Sequence, residues 1–202
     1  MDQRANRMKT LIINTFFDCL ETLDFTQITI GKISDQAMIN RSTFYRYFSD
    51  KYILRDTIVA DIVKDFADHM EVDFLHMDIK NKDHTKTLEY SLSHLCTKKR
   101  ELELLWNQPT LGRNVFDEMI DAGASKVENE IKNHKTITPE KKALADWYAK
   151  LLVNNYLVTV RWWFAHSDTV SASQITEMME RHMISGTVSV SYTHLTLPRL
   201  NR

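Results

Sequence analysis

Four glycines, three prolines and two cysteines are spread over 202 residues, and each scarcity excludes a class of structure. So few chain breakers leave long uninterrupted segments, which favours helices over a strand-and-turn architecture. The scattered glycines form neither a phosphate-cradling loop nor a nucleophile elbow, and no zinc-protease helix motif occurs. No enzyme activity and no cofactor are therefore expected. Cys19 and Cys96 fit no metal-ligand or redox spacing, as expected of reduced thiols in a cytoplasmic protein. No apolar run approaches the ~20 residues of a membrane span. Arg4, Arg7 and Lys9 lead into a segment that is polar on one side, unlike a signal peptide, so no membrane partner is expected.

What the chain does contain is ordinary in bulk and uneven in detail. Apolar residues make up 43% and charged residues 26%, with a net charge of -1, values of a soluble globular protein able to bury a sizeable core. Residues 25–55 hold Lys32, Arg41, Arg46, Lys51 and Arg55 against Asp35 and Asp50, a balance of +3 on a body of -4. A cationic patch on an acidic body is compatible with phosphate binding.

Residues 4–23 set Leu11, Thr15, Cys19 and Leu23, flanked by Ile12, Phe16 and Leu20, on one helical stripe. Thr29 is a good N-cap for a short helix from Ile30 to about Ala37, with Ile30, Ile33 and Ala37 inward. Met38, Ile39 and Asn40 follow as a turn, and Asn40 can cap a second short helix from Arg41 to about Phe48. Asp50 then caps a longer helix carrying Leu54, Ile58, Ile62 and Phe66. Two short helices across a three-residue turn, braced on both sides, make the plan of a helix-turn-helix.

Within "NRSTFYRYFSDK", Phe44 and Phe48 stand at i, i+4 and would pin the second helix to the first. Arg41, Ser42, Thr43, Tyr45 and Tyr47 then project outward. Such a helix suits a DNA major groove, with Thr43 reading bases through hydroxyl and methyl and Arg41 pairing with a guanine edge. The tyrosine hydroxyls and Lys51 are natural phosphate contacts.

The segment "TIGKISDQAMINRSTFYRYFSDKYIL" closely resembles the DNA-binding head of the TetR family of bacterial regulators, over roughly residues 4–56. Thr43-Phe44-Tyr45-Arg46-Tyr47-Phe48 with Lys51 matches the family pattern nearly position by position. One departure is Met38, where the family commonly has glycine. If that position needs a positive φ, methionine costs about 1 kcal/mol of strain. The resemblance implies that Thr29, Gly31 and Lys32 lie against the phosphate backbone. With no side chain at Gly31, base reading shifts onto Arg41, Ser42 and Thr43.

Beyond a polar stretch at 75–86, helical patterns return at about 87–106 and 113–133, with a break at "NQPTLGRN". Thr138-Pro139-Glu140 reads as a helix start, and the helix it opens runs to His166. Leu144, Tyr148, Leu151, Asn155, Val158 and Trp162 form one seam of it. Leu152, Tyr156 and Trp163, with Val153, Leu157, Val160 and Phe164, cover another face. Apolar on more than the ~100° one core needs, it is expected to serve its own core and a second surface. Ser171 to Gln174 make a capping box for a helix with Ile175, Met178, Met179, His182 and Met183 on one side. Asn155, polar within an apolar seam, suits a register-setting place in a dimer.

The expected architecture is thus all-α: an N-terminal helix-turn-helix head over 1–56 and a helical regulatory and dimerisation body over 57–186. The penultimate helix, "NNYLVTVRWWFAH", looks like that of the dihydroxyacetone-kinase regulator subclass. The resemblance implies a homodimer, with Tyr156, Val160, Trp163, Ile175, Met179 and Met183 at its interface, on a pseudo-palindromic double-stranded DNA operator. It also implies a small-molecule effector, whose candidate pocket residues are Phe66, Met70, Trp106, Phe116, Met119, Tyr148 and Trp162. Control by a protein partner is the alternative. Asp65, His69, Asp73 and His76 share a helical face, but no second cluster at ligand spacing accompanies them, so no metal is expected. Residues 187–202 change character, and "VSYTHLTLP" resembles a translated sequencing adapter, so a non-native or loosely packed tail is expected there.

Overall fold

The computed structural model describes residues 3–72, 84–133 and 139–182, and every regular element among them is helical. The first apolar stripe forms α1 (Gln3–Leu20), burying Ile12, Thr15, Phe16, Phe17, Cys19 and Leu20, while Leu11 stays largely exposed. After a 3-10 turn at Phe25–Gln27 come α2 (Ile30–Gln36), α3 (Arg41–Tyr45) and α4 (Lys51–His69).

The starts of these helices follow from local chemistry. The first amide groups of a helix lack partners within it, and a short polar side chain can supply one. The Thr29 hydroxyl accepts from the Lys32 amide at 3.2 Å. One Asp50 carboxylate oxygen accepts from the amides of Tyr52 and Ile53 at 2.7 and 2.8 Å. Asn40 holds the cap position of α3 through its carbonyl, which accepts from the Thr43 amide at 2.8 Å.

The later elements are α5 (His84–Cys96), α6 (Lys99–Trp106), a 3-10 turn at Pro109–Leu111, α7 (Val115–Asn133), α8 (Pro139–Lys142), α9 (Ala145–Phe164) and α10 (Ala172–His182). Two expected helices are each divided. The one over 87–106 breaks at Thr97 and Lys98, whose amides bond the carbonyls three residues back, and the Thr97 hydroxyl donates to the His94 carbonyl. That over 139–166 breaks at Leu144. The apolar rhythm runs through the break because Leu144 keeps the spacing, yet Leu144 is itself exposed. The Ser171 and Gln174 side chains cap each other's amides as their spacing predicts. Thr138, Met183 and the segment from 187 onward lie outside the described residues.

Two compact units result. Among the described residues, 3–65 and 100–115 form the first, and 66–72, 84–99, 116–133 and 139–182 the second. The expected division after residue 56 does not coincide with this, because the turn and helix at 100–115 pack back on the N-terminal helices.

In the first unit α2 packs on α1 and α3. The Arg100 guanidinium pairs with Asp18 of α1 and with Glu21 just past its end, and Arg55 donates to the Leu111 carbonyl at 2.7 Å. In the second, α10 packs on α5 and α9. Gly123 lets α7 and α9 approach closely, since a Cβ there would lie 2.9 Å from Val153 Cγ1. Among the described residues no helix is long and apolar enough to cross a membrane.

Candidate nucleic-acid interface

The first unit presents two short helices joined by a turn whose geometry can be traced bond by bond. The Met38 amide donates to the Asp35 carbonyl at 3.2 Å, and the Ile39 amide to the Ser34 carbonyl at 2.9 Å. This paired closure of a helix end is the Schellman motif, which needs a left-handed residue just past the cap. Met38 is that residue, with φ 53°, and the one non-glycine residue at positive φ among those described. The conformation asked of the turn is therefore present, and a methionine supplies it.

Phe44 and Phe48 are both buried, their ring centroids 5.9 Å apart. They hold one face of α3 against the unit. Arg41, Ser42 and Tyr45 are exposed on the other, with Thr43 and Tyr47 half-buried beside them. Thr29 and Lys32 are also exposed at the start of α2, where the Thr29 oxygen accepts the capping bond and its hydroxyl proton remains available to an acceptor.

Gly31 has a more specific part than its missing side chain suggested. A Cβ there would lie 2.7 Å from Arg41 Nη2 and 3.3 Å from Arg41 Cζ. The glycine is the seat of the Arg41 guanidinium, and α2 thereby sets where that cation points.

The ammonium of Lys51, expected as a phosphate contact, donates within the chain to the carbonyls of Phe25 at 2.9 Å, Thr26 at 3.3 Å and Ile28 at 2.8 Å. It also sits 4.6 Å from the centre of the Phe25 ring. All three N–H groups are engaged, so the side chain closes the 3-10 turn onto the start of α4. Burial, and then the neighbouring Arg55 charge, draw its pKa below the usual lysine value, while the carbonyl acceptors favour the charged form.

Arg55 is likewise occupied, by the Leu111 carbonyl and by Asp56. Of the five cations in this segment, Lys32, Arg41 and Arg46 carry the exposed charge. Arg46 was not singled out from the sequence, although the local surplus of charge contained its signal.

In the second unit several expected roles move. Tyr156, Val160, Trp163, Ile175 and Met179, expected at a dimer surface, are buried in the chain's own core. The cause is the packing of α10 on α5 and α9, and the Trp163 indole donates to the Val170 carbonyl at 2.7 Å. Burial, and secondarily the Cys96 charge, push the Tyr156 phenol far up. The apolar surface left outside includes Trp147, Val158 and Trp162 on α9 and Met178 on α10, exposed by 58%, 49%, 47% and 61%.

The candidate pocket residues are divided between the two units. Phe66 and Met70 pack at Gly123, each 3.1 Å from where its Cβ would stand. Met119 and Tyr148 are buried, and Phe116 lies 5.4 Å from the Arg161 guanidinium. Trp162 faces outward and stacks on the His166 ring, which removes it from an internal pocket. Trp106 is buried and belongs to the first unit.

No family model matches the chain. A curated relative, the uncharacterized HTH-type transcriptional regulator YxbF of Bacillus subtilis (strain 168), is 25% identical over 184 residues, which is 89% of this chain and 46% of the relative. The chain thus spans about half the length of that protein. Among solved structures, the TetR family repressor AlkX from Dietzia sp. strain DQ12-45-1b, implicated in biodegradation of n-alkanes, superposes with a TM-score of 0.47 at 12% identity, covering 90% of this chain and 95% of that chain.

Proposed function

We propose that this chain is a TetR-like, DNA-binding transcriptional regulator and not an enzyme. One observation carries the reading. The α2–turn–α3 unit closes through a Schellman turn and buries Phe44 and Phe48, which turns Arg41, Ser42 and Tyr45 outward. A helix pinned by its apolar face, with a guanidinium and hydroxyls on the other, matches the donor and acceptor code of the major groove. The similarity to a protein named as an HTH-type transcriptional regulator supports it.

In this reading Arg41, Ser42 and Thr43 meet base edges. Thr29, Lys32, Tyr45, Tyr47 and Arg46 meet phosphates, which position the head without reading sequence. Gly31 acts through Arg41, and Lys51 acts through the fold. The chain works as a homodimer on a pseudo-palindromic operator, whose half-sites recur at about 34–36 Å or its multiples. Trp147, Val158, Trp162 and Met178 offer the apolar surface for that pairing, and Asn155, half-buried on the same helix, is assigned the register-setting place in it.

In this reading regulation is repression relieved by a small-molecule ligand, and control by a protein partner is the alternative. A metabolite library that raises the Tm of the full chain by mass action supports the ligand; one that leaves it unmoved supports the partner.

The reading is tested by selecting bound duplexes from a random DNA pool, with the Tyr45→Ala, Tyr47→Ala double variant alongside. A palindromic motif enriched by the wild-type chain and lost in the variant is the expected result. Failure of a folded wild-type chain to enrich any motif overturns it.

A further inference from the structure

The last turns of α4 and α5 bring together a set of side chains that the DNA reading does not use. Asp65 and His69 stand one helical turn apart on the unbroken α4, so their side chains share a face. From α5, His94 lays its ring against His69, with centroids 3.7 Å apart and planes inclined by 15°. One ligand atom from each of the three residues lies within 4.8 Å of the others, and all three residues are half-buried.

Backbone contacts hold this corner in place. The Ser91 hydroxyl donates to the His69 carbonyl and accepts from the Glu71 amide, both at 3.4 Å. The Lys126 ammonium, from α7, donates to the carbonyls of Ala67 and Asp68 at 2.8 and 3.2 Å and so closes the last turn of α4. Leu92 and Leu95, buried on either side of His94, fix the face α5 presents.

We propose that Asp65, His69 and His94 form a binding site for a divalent transition-metal ion, zinc being the best match. Two imidazole nitrogens and one carboxylate oxygen are a borderline donor set, suited to zinc, nickel or cobalt and poorly suited to magnesium or calcium, which take oxygen ligands. Zinc bonds such atoms at about 2.0–2.2 Å, which puts neighbouring ligands of a tetrahedron about 3.4 Å apart. Ligation requires the two stacked rings to turn out of their parallel arrangement so that one nitrogen of each points at the ion. Three protein ligands leave the fourth position to water or to an anionic molecule. The sequence set Asp65 and His69 on one face with Asp73 and His76, which lie outside the described residues, and helical spacing could not announce His94 from another helix.

The site goes beyond the DNA reading and is tested without DNA. The full chain, free of any affinity tag and treated with chelator, is titrated with Co2+ and followed by its visible absorption, then with Zn2+ in competition. One equivalent of Co2+ per chain giving the intense bands of tetrahedral coordination, abolished by Zn2+, is the expected result. His69→Ala and His94→Ala should weaken binding by about 100-fold, on the upper side of what changes around a metal ligand do. His182→Ala, exposed at the end of α10, should leave it unchanged.

Asp65→Asn preserves shape and should weaken binding by about tenfold or more, so it carries the test even where a histidine variant does not fold. Absence of saturable Co2+ or Zn2+ binding by the wild-type chain overturns the proposal. So does binding that survives Asp65→Asn and the folded histidine variants unchanged.

Discussion

Replacing Met38 by glycine should make the protein more stable, although it removes a side chain. Met38 closes α2 at φ 53° and is 93% exposed. A left-handed conformation costs a residue with a Cβ about 1–2 kcal/mol, and glycine escapes that cost. Glycine also loosens the unfolded chain, which returns about 0.4–1 kcal/mol in the other direction. An exposed thioether contributes almost no burial, so the net expectation for Met38→Gly is a gain of about 0.5–1 kcal/mol. For a chain of this size that corresponds to a rise in Tm of about 2 °C.

Met38→Ala is the control that isolates the backbone. It deletes the same exposed atoms but keeps the Cβ, so its stability should stay within about 0.5 kcal/mol of wild type. Urea unfolding followed by helical circular dichroism, with equal m-values for the variants, reads the difference. If Met38→Gly is no more stable than Met38→Ala, the assignment of strain to this turn is wrong.

Lys51→Ala removes a charged donor from three carbonyls and should destabilise the chain by about 2 kcal/mol, as hydrogen bonds to charged groups do. As a brace rather than a phosphate contact, Lys51 should leave the salt slope of DNA binding unchanged; a slope lower by about 1 would return it to the phosphate role. Gly31→Ala puts a methyl where the Arg41 guanidinium rests and, in a helix, favours folding by about 0.5–1 kcal/mol. A duplex selection should therefore show altered base preference from a protein at least as stable as wild type. Thr43→Ala should relax preference at the position it reads without changing the salt slope. Val158→Glu with Trp162→Glu should keep the helical signal and halve the mass measured by sedimentation, because both side chains are exposed in the single chain.

What could be read from the residues alone was whatever depends on neighbours in sequence. The Thr29 and Asp50 caps, the Ser171–Gln174 box and the Phe44, Phe48 pair are set within about one helical turn, and each formed as its spacing implied, whereas periodicity placed the helices at about 87–106 and 139–166 but missed the breaks inside them. The positive φ at Met38 was raised by the family resemblance, since relatives commonly hold glycine there. Tertiary structure decided the rest. Periodicity showed that α9 is apolar on two faces, but α10 chose which face went inside, burying Tyr156, Val160 and Trp163 and leaving Val158 and Trp162 out. The same limit applies to Lys51, to Gly31 beneath Arg41 and to His94 beside His69. Each of these depends on a partner from another turn or helix, and contacts of that kind form only when separate segments pack, so no local spacing records them.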